Sequence, residues 1–178
     1  MILVDSQIKA LINKDMLIKE GYNPDNVNSM SYDLTIDKVL ISQENDEMKE
    51  IDSFKLEPGQ FVYIKTKETL RIPNNILGRI AQKNSIMRMG LVVDGPLYQP
   101  GHITKSFLRV QNISQDSIRI YNKMKIAQII FEELVKEPDI PYSQQENASF
   151  NEEFTYKGFG KYESQYNRAI NKMKILKS

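Results

Sequence analysis

Residues 30–37, Met30-Ser31-Tyr32-Asp33-Leu34-Thr35-Ile36-Asp37, alternate apolar and polar side chains without a break. A period of two places Met30, Tyr32, Leu34 and Ile36 on one face of a strand and Ser31, Asp33, Thr35 and Asp37 on the other, so one face is predicted to be buried. Similar runs follow downstream. A polar, acidic loop around Gln43 to Glu50 gives way to the turn Leu56-Glu57-Pro58-Gly59-Gln60 and then to Phe61-Val62-Tyr63-Ile64-Lys65-Thr66, another strand candidate. Ile76 to Ala81, Lys105 to Gln111, Ser117 to Tyr121 and Ile126 to Leu134 complete the set. Short strands punctuated by Pro, Gly and Asn predict a mainly β fold, a sandwich or barrel. Upstream, Asn23-Pro24-Asp25-Asn26 closes a first unit, in which Asp5 or Ser6 can cap a short helix carrying Ile8, Leu11 and Ile12 at helical spacing.

With 178 residues the chain is long enough to bury one sizeable core. Its 24 basic residues nearly cancel its 23 acidic ones, so no global field favours nucleic acid or a membrane surface, and an anionic ligand would have to be held locally. The absence of cysteine excludes disulfides and thiolate zinc sites, and the single histidine excludes sites built on several imidazoles. No apolar run approaches the length of a membrane span and the N-terminus lacks a signal pattern; the expectation is a cytoplasmic protein. Beyond Pro138 the character turns polar and aromatic, with Phe150, Phe154, Tyr156, Phe159, Tyr162 and Tyr166. This divides the chain into a β domain at 1–137 and a tail at 138–178, which either closes over a site or folds back on its own domain. Ile170, Met173 and Leu176 predict a terminal helix over Asn167 to Lys177.

One cluster stands out chemically: Lys83-Asn84-Ser85-Ile86-Met87-Arg88-Met89-Gly90-Leu91. Lysine supplies a mobile charge, arginine a planar fork for phosphate oxygens, and serine a short donor. Two readings are open for it, an anion grip and a solvated turn at a helix start.

The order of these pieces resembles the deoxycytidine triphosphate deaminase and deoxyuridine triphosphatase (dUTPase) superfamily, in its deaminase-like branch. Ile2 to Ile12 resembles that branch's N-terminal helix, Ser31-Tyr32-Asp33-Leu34-Thr35-Ile36 its first core strand, and Leu56 to Pro73 its strand, turn and strand ending in Ile-Pro. The Lys83 cluster stands where the family usually has Arg-Ser-Ser-Leu-Ala-Arg-Leu-Gly-Leu, Lys125 to Phe131 matches a further segment, and Lys161-Tyr162-Glu163-Ser164-Gln165 fits the closing motif Lys-Tyr-x-x-Gln. The resemblance implies a distorted β-barrel or jelly roll with short terminal helices, a homotrimer, and nucleotide sites between subunits. It also implies that Lys83, Asn84, Ser85 and Arg88, and with them Lys161, Tyr162 and Gln165, hold a deoxynucleoside triphosphate. Magnesium is the expected companion of such a ligand, since hard cations bridge phosphate oxygens.

The resemblance fails at the catalytic positions. Where the deaminase has a Glu three residues before an Asn, this chain has Arg109 before Asn112, and Gln99 replaces the Asp of the family's Ile-Asp-Pro-Gly segment. A guanidinium cannot shuttle protons near neutral pH, so ordinary deamination is unavailable. Arg109 is open to three readings: a structural arginine paired with a carboxylate, a positive group facing phosphate, or a shifted alignment or replacement in its role by another carboxylate. Asp94 is the first candidate for such a substitute base, with Glu132 and Glu133 as others. His102 lacks a visible carboxylate to orient it, Asp33 reads as solvated or structural, and Gln128 as satisfying backbone groups at a subunit contact. The expected function is a nucleotide-binding protein without standard deamination. The alternatives are a nucleotide hydrolase with a substitute carboxylate and an interaction module with a closed pocket.

Overall fold

The computed structural model describes residues 1–42 and 48–158. The helix at the N-terminus, α1 (Asp5–Ile12), buries Ile8 and Ile12. Its cap position is Val4, not Asp5 or Ser6: the Val4 N–H is bonded by Gln7 Oε1 at 3.1 Å, and Asp5 sits in the first turn, where a negative charge favours the helix dipole. The strands are β1 (Leu17–Glu20), β2 (Tyr32–Ser42), β3 (Met48–Ile51), β4 (Ser53–Leu56), β5 (Phe61–Arg71), β6 (Ile76–Gln82), β7 (Leu91–Asp94), β8 (Leu97–Tyr98), β9 (Ile103–Asn112), β10 (Ile118–Tyr121) and β11 (Lys125–Glu133). A second helix, α2 (Asn84–Arg88), joins β6 to β7.

Among the described residues, one curled sheet runs in the order β7-β9-β5-β2-β11-β6-β8, with β1 added to β5 and β3 to β2, while β10 and β4 form a separate pair. All of these pairings are antiparallel, so the fold is mainly β, as the alternation predicted. Tyr32, Leu34 and Ile36 of β2 are fully buried against Ile64 of β5, Leu108 of β9 and Ile129 and Phe131 of β11. Each aliphatic or phenyl side chain of this set contributes about 1.5–3 kcal/mol. Met30 does not belong to it: the strand begins at Tyr32 and Met30 is exposed. Asp33 is buried rather than solvated, held by Lys83 Nζ at 2.6 Å and Asn28 Nδ2 at 2.9 Å.

β5 continues beyond Thr66 to Arg71, through a polar stretch in which the register with β9 slips between Lys65 and Thr69. That irregularity turns Glu68 inward, where it is fully buried. Its Oε2 accepts the Thr35 N–H at 3.1 Å, its Oε1 has no partner, and burial pushes the carboxyl up to about 7. Among the described residues, no helix is long and apolar enough to cross a membrane. The predicted terminal helix at 167–177 lies outside the described residues.

Candidate functional site

β9 is the strand that organises the candidate site. Its alternate residues face the core, while Lys105, Phe107, Arg109 and Gln111 face outward. Register sets Arg109 opposite Tyr63 on β5 and opposite Asp94 on β7. Across that last pair, Arg109 Nη2 and Nε donate to Asp94 Oδ2 at 2.6 and 3.2 Å, and this bond raises Arg109 above its ordinary pKa. Asp94, the substitute base expected from the sequence, is therefore tied to the very arginine that replaced the family carboxylate. Glu132, another candidate, is bound by Arg79 at 2.7 Å, and Glu133 is exposed.

The odd-numbered residues of β9 direct their peptide groups away from β5: Lys105 N–H donates to Glu153 O, whereas Asn112 N–H points the other way, to Gln60 O. β7 ends opposite Arg109, and the segment after the barrel begins to pair only at Thr104 and Lys105. The main chain at Phe107 thus faces a gap in the sheet edge. A cavity of about 310 Å³ lies beside it, walled by Phe107, Tyr98, His102, Phe150, Glu153 and Tyr156. Gln99, the residue in the place of the family aspartate, also lines this cavity, as does Lys105, whose ammonium burial lowers in pKa.

The outer wall comes from the tail, which folds back on its own domain as far as residue 158. Tyr142 N–H donates to Pro100 O at 2.8 Å, Ile103 N–H to Asn151 Oδ1 at 3.1 Å, Glu152 N–H to Ile103 O at 2.7 Å and Lys105 N–H to Glu153 O at 3.0 Å. Tyr156 then stacks on Tyr63 and Phe107, with ring centroids 5.1 and 5.5 Å apart. Gly101 makes this docking possible: it turns at φ +81°, and a Cβ there would meet Pro141 Cβ at 2.9 Å.

His102 is buried between Tyr98 and Tyr142. Its Nε2 lies 2.8 Å from Phe150 O, and because a carbonyl only accepts, Nε2 carries the proton and Nδ1 is a bare acceptor, without a partner. Burial lowers its pKa and so favours the neutral ring; among the described residues no carboxylate is hydrogen-bonded to it as the partner of a general base. Glu153 is 7% exposed, and its burial raises the carboxyl pKa.

The Lys83 cluster is split. Lys83 turns back into the molecule onto Asp33, with a side chain only 19% exposed, whereas Asn84, Ser85 and Arg88 lie exposed on α2. Arg88 Nε donates to Asn84 Oδ1 at 3.1 Å and makes no ion pair among the described residues. None of these four residues, nor Asp94 or Arg109, lines the cavity. Gln128 bonds within its own chain, to Ser31 Oγ and Gln82 O. Lys161, Tyr162 and Gln165 lie outside the described residues. Glu153, Tyr156 and Phe107 went unnoticed in the sequence as site residues; the clustering of aromatic residues after Pro138 was a signal for Tyr156 alone. Among the described residues, no group of three or more acidic or imidazole side chains is placed to hold a metal.

A family model described as dCTP deaminase-like matches residues 2–134, and the chain belongs to that family. A second model, described as a protein of unknown function (DUF1374), matches residues 99–177, which takes in β9 and the tail that walls the cavity. Among curated relatives, the dCTP deaminase, dUMP-forming, of Pseudarthrobacter chlorophenolicus is 29% identical over 82% of this chain and 87% of its own length. That of Methanosphaerula palustris is 28% identical over 84% and 90%. Among solved structures, the 2'-deoxycytidine 5'-triphosphate deaminase of Agrobacterium tumefaciens superposes with a TM-score of 0.62 at 19% identity. That match covers 74% of this chain and 48% of the Agrobacterium chain, so this chain spans about half of it, and the likeness establishes the fold.

Proposed function

We propose that the protein binds a nucleoside triphosphate and does not deaminate it by its relatives' ordinary route. The observation that carries this reading is the Asp94–Arg109 ion pair: the position of the family carboxylate holds a guanidinium, and the nearest replacement is neutralised by it. A cavity of about 310 Å³ with aromatic walls suits one planar ring, which argues against a closed pocket and a pure interaction module. The phosphates would lie on Ser85 and Arg88. Since neither lines the cavity of its own chain, the full site joins the cavity of one subunit to α2 of a neighbour, in the trimer that the family resemblance implies. Magnesium would accompany the triphosphate, held by phosphate oxygens rather than by a protein cage.

Titration calorimetry with dCTP and magnesium tests this reading. Wild type binds, and Arg88→Ala weakens binding about tenfold or more, the value of one charged hydrogen bond. Unchanged affinity in the variant would remove α2 from the site, and absence of binding by wild type would overturn the reading.

A further inference from the structure

The resemblance leads to a search for a lost carboxylate among residues of the barrel, but the acid that lines the cavity comes from outside it. Glu153 lies beyond the stretch matched by the dCTP deaminase-like model, and it is the one acidic side chain among those lining the cavity. Three main-chain bonds between the tail and the β8–β9 region, those of the Tyr142, Glu152 and Lys105 N–H groups, and the bond from Ile103 N–H to the Asn151 side chain fix its position. Its Oε1 accepts the Lys157 N–H at 2.7 Å, whereas its Oε2 makes no hydrogen bond among the described residues. The residue is buried, and its side chain helps to line the cavity.

A second unpartnered acceptor, His102 Nδ1, stands in the same wall. Acceptors that the chain leaves without donors in the wall of a cavity are open to donors on a ligand. We propose that Glu153 is a specificity-determining residue of this cavity, accepting hydrogen bonds from the exocyclic amine of an aminopyrimidine-type ring. This rests on the nucleotide reading above and adds which residue of this chain reads the ring. An exocyclic amine offers two N–H donors and no lone pair to the carboxylate. The imide edge of a uracil-type ring flanks its single N–H with two carbonyl oxygens, which a carboxylate repels. Phe107 and Tyr156, in contact with each other, supply one apolar wall against which such a ring would lie, and the free Glu153 oxygen lines the same cavity.

Calorimetry of the full chain with dCTP and dUTP, each with magnesium, compares wild type, Glu153→Gln and Glu153→Asp. Wild type is expected to bind dCTP about tenfold or more tightly than dUTP. In Glu153→Gln the amide oxygen keeps the bond to Lys157 N–H and turns an NH2 toward the ligand, so donor meets donor and the preference falls to parity or reverses. Glu153→Asp withdraws the charge by one methylene and shrinks the preference without removing it; it serves if the Gln variant does not fold. A preference for dCTP that is unchanged in the folded variants would overturn the role of Glu153 while leaving nucleotide binding intact. Equal binding of the two nucleotides by wild type would do the same. Binding of neither by wild type would overturn both readings.

Discussion

Glu68 illustrates how far a single residue can depart from what its neighbourhood in the sequence implies. Thr66-Lys67-Glu68-Thr69 reads as a polar end to a strand, yet the slip in register between β5 and β9 drives Glu68 inside, with one oxygen unpartnered. Its carboxyl titrates at about 7 in the folded protein against 4.5 as its reference. A raised acid keeps its proton more tightly when folded, so stability is greatest below about pH 4.5 and is lost as pH rises through 7. The loss amounts to about 3 kcal/mol. Glu68→Gln removes that dependence: in urea unfolding, wild type weakens between pH 5 and pH 8 more than the variant does. Identical slopes would mean that Glu68 is solvated. Lys83 makes the complementary point. Its charge marked it as a phosphate ligand, and its ammonium is paired with Asp33, the second residue of β2, whose buried carboxylate requires a partner.

At the scale of elements, the long strands were legible and, apart from β10, the short ones were not. β2, β5, β9 and β11 announce themselves by alternation because each buries one face along its length. β1, β3, β4, β7 and β8 have two to four residues, too few for a period of two to stand out, and all but β4, which pairs with the short β10, lie along a longer strand. The tail is the other case. Its aromatic residues signalled contact, but whether they met the barrel depended on Gly101 and on the free edge of β9, neither of which is written in the tail itself. The docking of this segment yields its own prediction. Tyr156→Ala removes the stack on Tyr63 and Phe107, so the Lys105 amide, bonded to Glu153 O, should exchange with solvent about tenfold faster or more. Protection equal to wild type would show that the main-chain bonds alone hold the segment.

For the whole molecule, the family was legible because motif order survives substitution, whereas the site was legible only in part, since it is assembled from pieces that lie apart in one chain. Gln99 lines the cavity; Ser85 and Arg88 do not. Exposed Met87, Met89, Phe61 and Ile113 leave apolar surface that a neighbouring copy would cover. Multi-angle light scattering at micromolar concentration should accordingly report three times the 20.7 kDa chain mass, and a monomer would break the link between the two halves of the site.

The central claim, that a nucleotide is held without ordinary deamination, is tested most directly by chromatography of dCTP and dUTP incubated with the protein and magnesium, beside Arg109→Glu and Asp94→Asn. Both nucleotides should be recovered intact from wild type and from Asp94→Asn, at a turnover lower by about 10² or more than an intact acid–base site would give. Turnover of dCTP gained in Arg109→Glu would locate the defect at that position. Brisk turnover by wild type that vanishes in Asp94→Asn would contradict the account and make Asp94 the working base.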